Sequence, residues 1–506
     1  MSSATSSGTT DEESPAGGGE GYSFPEPPTE LLEAEKRGNW VKLLKYFGPG
    51  AILASMTLGS GEVLFAPRGG AIFGMAILWA YIWAGFVKGI MTYSGSRFYT
   101  LTGEHPMSRW AKLPGPRGWF PMLMGYLALI AFPSWAGGLS KMLGQIIAWA
   151  FGMPMNNTMF ASIGTVMMAV TALLVLVGGY DYVEKAQIAI VAFLSASIAV
   201  LAIAAAPDVT NVLWGLVPKV PADYAPWIVN NYPEVAARPT WVEVVTYMGA
   251  IGGGIYDYIG FVGYTKEREW GMLNRDDKVE VMGVMRDLSP GERLPLDESE
   301  ENRIRGGAWL KAPQSDILIS FSAITFFTAC SMILGALILH PKHLIPSGLK
   351  LFQHQALFFT KVHPALAVLW KLGVFFAIFG TLYSMWEGYT WTWLESFKPF
   401  SDRVVHLEEN RMTLARLITV AYVGGMGLIL MWSDISAVAI VTPASIIGGV
   451  FGCGLWCWGQ LWAEKTALPK TWQGGWKLDL GLIVAGAFLT FSGTLSIISW
   501  LGLYHF

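Results

Sequence analysis

Charge is what this sequence has least of. Of its 506 residues only 14% are Asp, Glu, Lys or Arg, against 53% that are hydrophobic. Soluble domains carry about 25% charged residues, so a mean hydropathy of +0.43 points to a membrane protein instead. A formal net charge of −3 leaves no basic field for a nucleic acid. Cysteine is scarce as well: Cys330, Cys453 and Cys457 all lie in apolar runs and read as ordinary buried residues. A zinc site would need more ligands beside them. There is no G-x-S-x-G, no phosphate loop and no His/Cys/Asp cluster at catalytic spacing, so the chain does not read as an enzyme and calls for no cofactor. The N-terminus lacks the basic and apolar regions of a signal peptide.

What the sequence has instead is apolar runs. A membrane-crossing helix needs about 20 mostly apolar residues. Runs of that kind occur at 46–67, 72–98, 119–151, 158–178, 184–206, 241–264, 314–340, 365–396, 413–432, 434–462 and 478–503. The expected fold is an all-α polytopic membrane protein of about eleven transmembrane helices. Residues 1–40, rich in Ser, Gly, Pro and acids, read as a disordered tail. Lys36, Arg37, Lys42 and Lys45, just before the first run, place that tail in the cytoplasm. An odd number of crossings then puts the C-terminus outside, with the plasma (inner) membrane as the expected location.

A first five-helix unit is expected over 41–206, an external Pro-rich loop over 207–240 and a second unit over 241–465. An eleventh helix falls in 466–506. A cytoplasmic insert at 266–311, charged in both signs, reads as a solvated linker with short helices or a small regulatory element. The 23 tryptophans suit interfacial belts and need no ligand to explain them.

Two of the runs are odd in the same way. TLGSGEVLFAPRGG (57–70) places Gly59, Ser60 and Gly61 before Glu62, and VTYMGAIGGGIYDYIGFVGY (245–264) places Gly252, Gly253 and Gly254 before Asp257. A charge at bilayer depth costs at least ~2.5–3.5 kcal/mol on insertion scales. Glycine in a spanning helix either lets helices pack closely or interrupts the helix and frees backbone groups for a ligand. Two such runs five spans apart, each with an acid nearby, are the pattern of inverted five-helix repeats whose helices 1 and 6 are broken near the midplane.

The donors near those breaks are Glu62, Asp257, Thr57, Ser60, Tyr256, Tyr258 and the carbonyls around Gly59, Gly61, Gly253 and Gly254. They are hard oxygens of the kind that suit Mg²⁺, Ca²⁺ or Mn²⁺. Glu62 reads as a cation ligand, a proton-coupling carboxylate or a partner for Arg68. Asp257 reads as a site acid or as an acceptor for tyrosine hydroxyls. Lys141 and Glu387, deep in long runs, are candidate pathway charges. Lys88 and Lys371 read as snorkelling side chains near helix ends. A small organic solute is the alternative cargo, with Arg68 or Lys141 meeting a carboxylate, and a solute sensor signalling through 266–311 is a third reading.

These residues resemble the Nramp metal-ion transporters, which have the LeuT-type inverted-repeat fold. The likeness runs over about 46–500, clearest in FGPGAILASMTLGSGEVLFAPRGGAIFG, in APDVTNVLWGLVP and in FGMP. It implies carriage of a divalent cation by alternating access, coupled to protons. The family's Asp-Pro-Gly-Asn motif falls here on Gly59, Ser60, Gly61 and Glu62, so only the glycine matches. Its Met-Pro-His sequence falls on Gly253, Gly254 and Ile255, which removes the soft sulfur that favours transition metals. Some related branches are similar in lacking that ligand and handle magnesium. The expectation is therefore a carrier of a hard, Mg²⁺- or Mn²⁺-like cation with Glu62 and Asp257 as its acids. Its partners would be the lipid bilayer and the small solute.

Overall fold

A computed structural model describes residues 21–37, 41–46, 59, 61–177 and 180–503. Seven helices among them are long and apolar enough to cross a membrane. These spans are Trp119–Ala150, Asn157–Val177, Glu300–Lys342, Leu366–Phe400, Met412–Trp432, Ala437–Ala467 and Gly475–Trp500. The helix Leu78–Thr102 precedes them, and Tyr180–Ala204 and the pair Thr240–Ala250 and Ile255–Tyr264 lie between the second and third. Thr57, Ser60 and the GPG at 48–50 fall outside the described residues, as does most of the first apolar run.

We label the elements that frame the site. Helix α1 is Ala66–Phe73, entered through a π-helical turn, Gly61–Phe65. α2 is Leu78–Thr102 and α3 is Trp119–Ala150. α4 (Thr240–Ala250) and α5 (Ile255–Tyr264) are the halves of the sixth run. α6 is Glu300–Leu334 and α7 is Leu366–Phe397. α8 (Ala437–Ile446) runs through a π turn, Ile447–Phe451, into α9 (Gly452–Ala467).

In lipid, apolar side chains gain little by leaving lipid for a neighbouring helix, so close backbone contact has to hold the bundle together. The glycines provide it. A Cβ on Gly61 would stand 2.1 Å from the carbonyl of Ala250, one on Gly70 2.1 Å from Met332 O, and one on Gly449 2.0 Å from Gly249 O. These three contacts seat the π turn on α4, α1 on α6, and the π turn after α8 on α4. Hydroxyls on the helices bond the carbonyl one turn back, as Thr92 does to Lys88 O and Thr390 to Trp386 O.

The insert is an ordered annex. One α-helix, Lys278–Asp287, follows two 3-10 turns, and residues 300–311 extend α6 beyond the span expected over 314–340. Residues 21–37, within the stretch expected to be a free tail, lie against it. Tyr22 N bonds Pro295 O, and Trp309 Nε1 bonds Pro25 O.

Candidate functional site

The sixth run is broken where its glycines are. α4 ends at Ala250, Gly252 and Gly253 follow with φ of 71° and 80°, and α5 begins at Ile255. Positive φ is strained for side chains with a Cβ and free for glycine. Gly254 has a different reason: a Cβ there would lie 2.9 Å from Gly448. The run therefore serves both readings, with interruption at the first two positions and packing at the third.

Several of the backbone groups freed at that break are met by the protein's own side chains. Glu62 is fully buried, and its Oε1 accepts from Gly252 N at 2.7 Å. Among the described residues its Oε2 has no hydrogen-bond partner. Asp257 sits at the third position of α5, and its Oδ2 accepts from Gly254 N at 2.7 Å, an anion at the positive end of a helix. Tyr258 donates to Gly252 O at 2.5 Å, while Tyr256 donates to Met124 O at 3.4 Å. The tyrosine hydroxyls flanking Asp257 thus go to carbonyls and not to its carboxylate. Gly253, Gly254 and Asp257 are half-buried, so the break has one partly open side.

The residue that sequence reasoning misplaced is Lys88. A snorkelling side chain reaches for the interface, but Lys88 is completely buried. Its Nζ donates to Met248 O at 2.9 Å, Gly249 O at 3.1 Å, Ile251 O at 2.5 Å and Gly253 O at 2.7 Å. It caps the negative end of α4. The physical reason is that an unwound segment leaves carbonyls that no helix satisfies.

The other charges of the apolar runs have partners away from the break. Arg68 does not pair with Glu62. Its Nη2 meets Glu243 at 3.2 Å, its Nε bonds Tyr247 Oη at 3.0 Å, and Nη1 bonds Pro346 O. Glu243, at the edge of the sixth run, was missed by sequence reasoning and is fully buried. Lys141 holds a turn between helices, bonding Ser433 O at 2.8 Å and Ile435 O at 2.7 Å. Glu387 is clamped by Arg416 through two 2.8 Å contacts. Lys371 stands 4.6 Å from the centre of the Trp149 ring.

At the end of the bundle nearest the insert, His105 packs between the short helix it caps and α5. Its Nδ1 accepts from Met107 N and its Nε2 faces Ile259 O at 3.2 Å, which fits a neutral ring. Burial pushes its pKa below the usual imidazole range, against the pull of Glu395. Cys330, Cys453 and Cys457 are free and buried, as expected. Among the described residues, no three His, Cys, Asp or Glu side chains are grouped to hold a metal.

The broken sixth run, with the π turn Gly61–Phe65 packed against it in a helical bundle, fits the class that the fold shows: a polytopic membrane protein of the LeuT type. The family model described as natural resistance-associated macrophage protein-like, Nramp, matches residues 50–450, and this chain belongs to that family. A manganese transporter of Eremococcus coleocola shares 14% identity at a TM-score of 0.58, with 94% of this chain and 90% of that one covered. The same transporter with an aromatic bis-isothiourea substituted compound gives 14% and 0.55, covering 92% and 88%. MhsT in complex with L-phenylalanine gives 14% and 0.52, covering 89% of this chain and 98% of that one. At such identities the likeness is one of fold. No curated protein matches the sequence.

Proposed function

We propose that this chain is a secondary transporter that carries a hard divalent cation, Mg²⁺- or Mn²⁺-like, by alternating access around its two breaks, with protons as the coupling ion. Glu62 carries the reading. It is a carboxylate sealed inside the bundle, with one oxygen on the Gly252 amide and the other unpartnered among the described residues. A buried anionic oxygen without a donor is costly, and a cation relieves that cost. Asp257, on the half-open side, is the second acid, and Thr57, Ser60 and nearby carbonyls complete a set of hard oxygens. Family membership and the manganese-transporter neighbours support a metal cargo. In this reading the N-terminus is cytoplasmic, the C-terminus is outside, and Arg68 with Glu243 closes the outer side.

One observation favours a second cargo. The carbonyls that would ligate a metal at the sixth break already hold Lys88. With both acids ionised and Lys88 protonated, the centre would have a single negative charge, which suits a small organic amine better than a bare divalent ion.

Uptake into proteoliposomes, with Mg²⁺, Mn²⁺ and Ca²⁺ assayed in parallel beside a pH-sensitive dye, tests the proposal. Saturable uptake that is lost in Glu62→Gln and Asp257→Asn supports a metal carrier. No cation flux from folded protein sinks it and moves the assay to small amines and amino acids.

A further inference from the structure

An ammonium group has three N–H donors, yet Lys88 Nζ lies within 2.5–3.1 Å of four backbone carbonyls. More acceptors than donors, converging from the end of a helix and the unwound turn beyond it, is the geometry of an ion seat rather than of directed hydrogen bonds. Half-helix C-termini and freed carbonyls are what membrane carriers use to bind a coupling cation. Here the seat is filled from within: α2 delivers a cation on a tether, completely out of contact with water. Two acids stand at the same break, Glu62 on the Gly252 amide and Asp257 on the Gly254 amide.

We propose that Lys88 is a built-in cation that permanently occupies the ion seat at the end of α4, so that the protein binds no external ion there. The centre keeps the charge pattern of an ion-loaded carrier without taking up an ion, and cargo is left to the Glu62 and Asp257 side. The inference rests on the break being the working centre of a carrier. Its test reads ion binding and stability and needs no transport, so the two can fail separately.

The seat can be emptied. Lys88→Ala removes the tether and leaves the four carbonyls, whereas Lys88→Met fills the same volume with an apolar chain. Thermal melting of the purified full-length protein in detergent is followed with ammonium, methylammonium or K⁺ added. Choline, too large for the seat, replaces them at matched ionic strength. Lys88→Ala melts several degrees below the unaltered protein, and ammonium or methylammonium restores part of the difference saturably. Lys88→Met is destabilised too, but the same cations do not rescue it.

A Lys88→Ala protein that melts like the original, or that gains no more from ammonium than from choline, overturns the proposal. So does equal rescue of Lys88→Met. Should Lys88→Ala fail to fold, the unaltered protein decides: indifference to ammonium and K⁺ relative to choline is expected, and saturable stabilisation by either would show that the seat admits external ions.

Discussion

Glu62 and Gly252 are 190 residues apart and joined by a 2.7 Å hydrogen bond from the Gly252 amide to the Glu62 carboxylate. The turn after the first glycine run and the break after the second are thereby one centre.

Glu62→Gln keeps an oxygen for the Gly252 amide and removes the charge. We expect folding and expression to be preserved and uptake to be lost. Size-exclusion profiles beside flux into proteoliposomes check this, and full transport in the variant would remove Glu62 from the mechanism. Asp257→Asn likewise keeps the bond from Gly254 N and should behave in the same way.

Gly61→Ala has to push its new methyl against Ala250 O, 2.1 Å away. Overpacking of that kind costs about 1–3 kcal/mol. Gly253→Ala meets the separate cost of a positive φ of 80°, of order 1–3 kcal/mol. Gly283→Ala, on an insert helix with nothing within 4 Å of the new atom, is the control and should be neutral or slightly stabilising. Melting temperatures of the three, compared in one detergent, rank them.

Arg68→Met leaves the buried Glu243 with the Tyr247 hydroxyl at 2.5 Å and, as a charge partner, the longer 3.5 Å contact to Arg238. Breaking one side of a buried pair costs about 3–5 kcal/mol, because a charge is left uncompensated. Adding Glu243→Gln should recover much of the loss. Thermal or chaotrope unfolding of the single and double variants measures the coupling, and strict additivity would mean that the pair contributes nothing.

His105 gives a pH dependence with a fixed sign. Its folded pKa is lowered by burial, so the stability it contributes is present above the ordinary imidazole pKa of about 6.5 and is lost as pH falls below it. Glu395, at 3.7 Å, and Lys398 act on the ring in opposite directions. Melting temperature should fall more steeply between neutral and mildly acidic pH for the original protein than for His105→Gln. Identical slopes would show that His105 takes up its proton alike in the folded and unfolded states, so that its burial does not bear on stability.

The architecture was legible because membrane spans and glycine interruptions are local signals. The runs expected at 119–151, 158–178 and 413–432 agree with helices Trp119–Ala150 and Asn157–Val177 and the span Met412–Trp432 to within a residue. The positions of Glu62 and Asp257 beside the break were legible for the same reason: each follows its glycines. Lys88 was not. Its acceptors are main-chain carbonyls, which leave no mark in a sequence, and a lysine in an apolar run looks the same whether it snorkels or turns inward. Arg68 was misread because its partner Glu243 lies 175 residues away, beyond any helical spacing rule. The pairing of Glu387 was not legible because Arg416 stands on another span, 29 residues on.

A charge bonded to its own chain cannot be released on either face of the bilayer. In the proposed carrier, with Lys88 protonated and Glu62 and Asp257 ionised, the cargo-free centre would have one net negative charge, carried by whichever helices move. The transmembrane electric field does work on such a charge, about 2.3 kcal/mol for each 100 mV crossed. A singly charged passenger would cancel it. Voltage would then bear on the unloaded protein and spare the loaded one, which makes the return stroke the electrically sensitive half of the cycle.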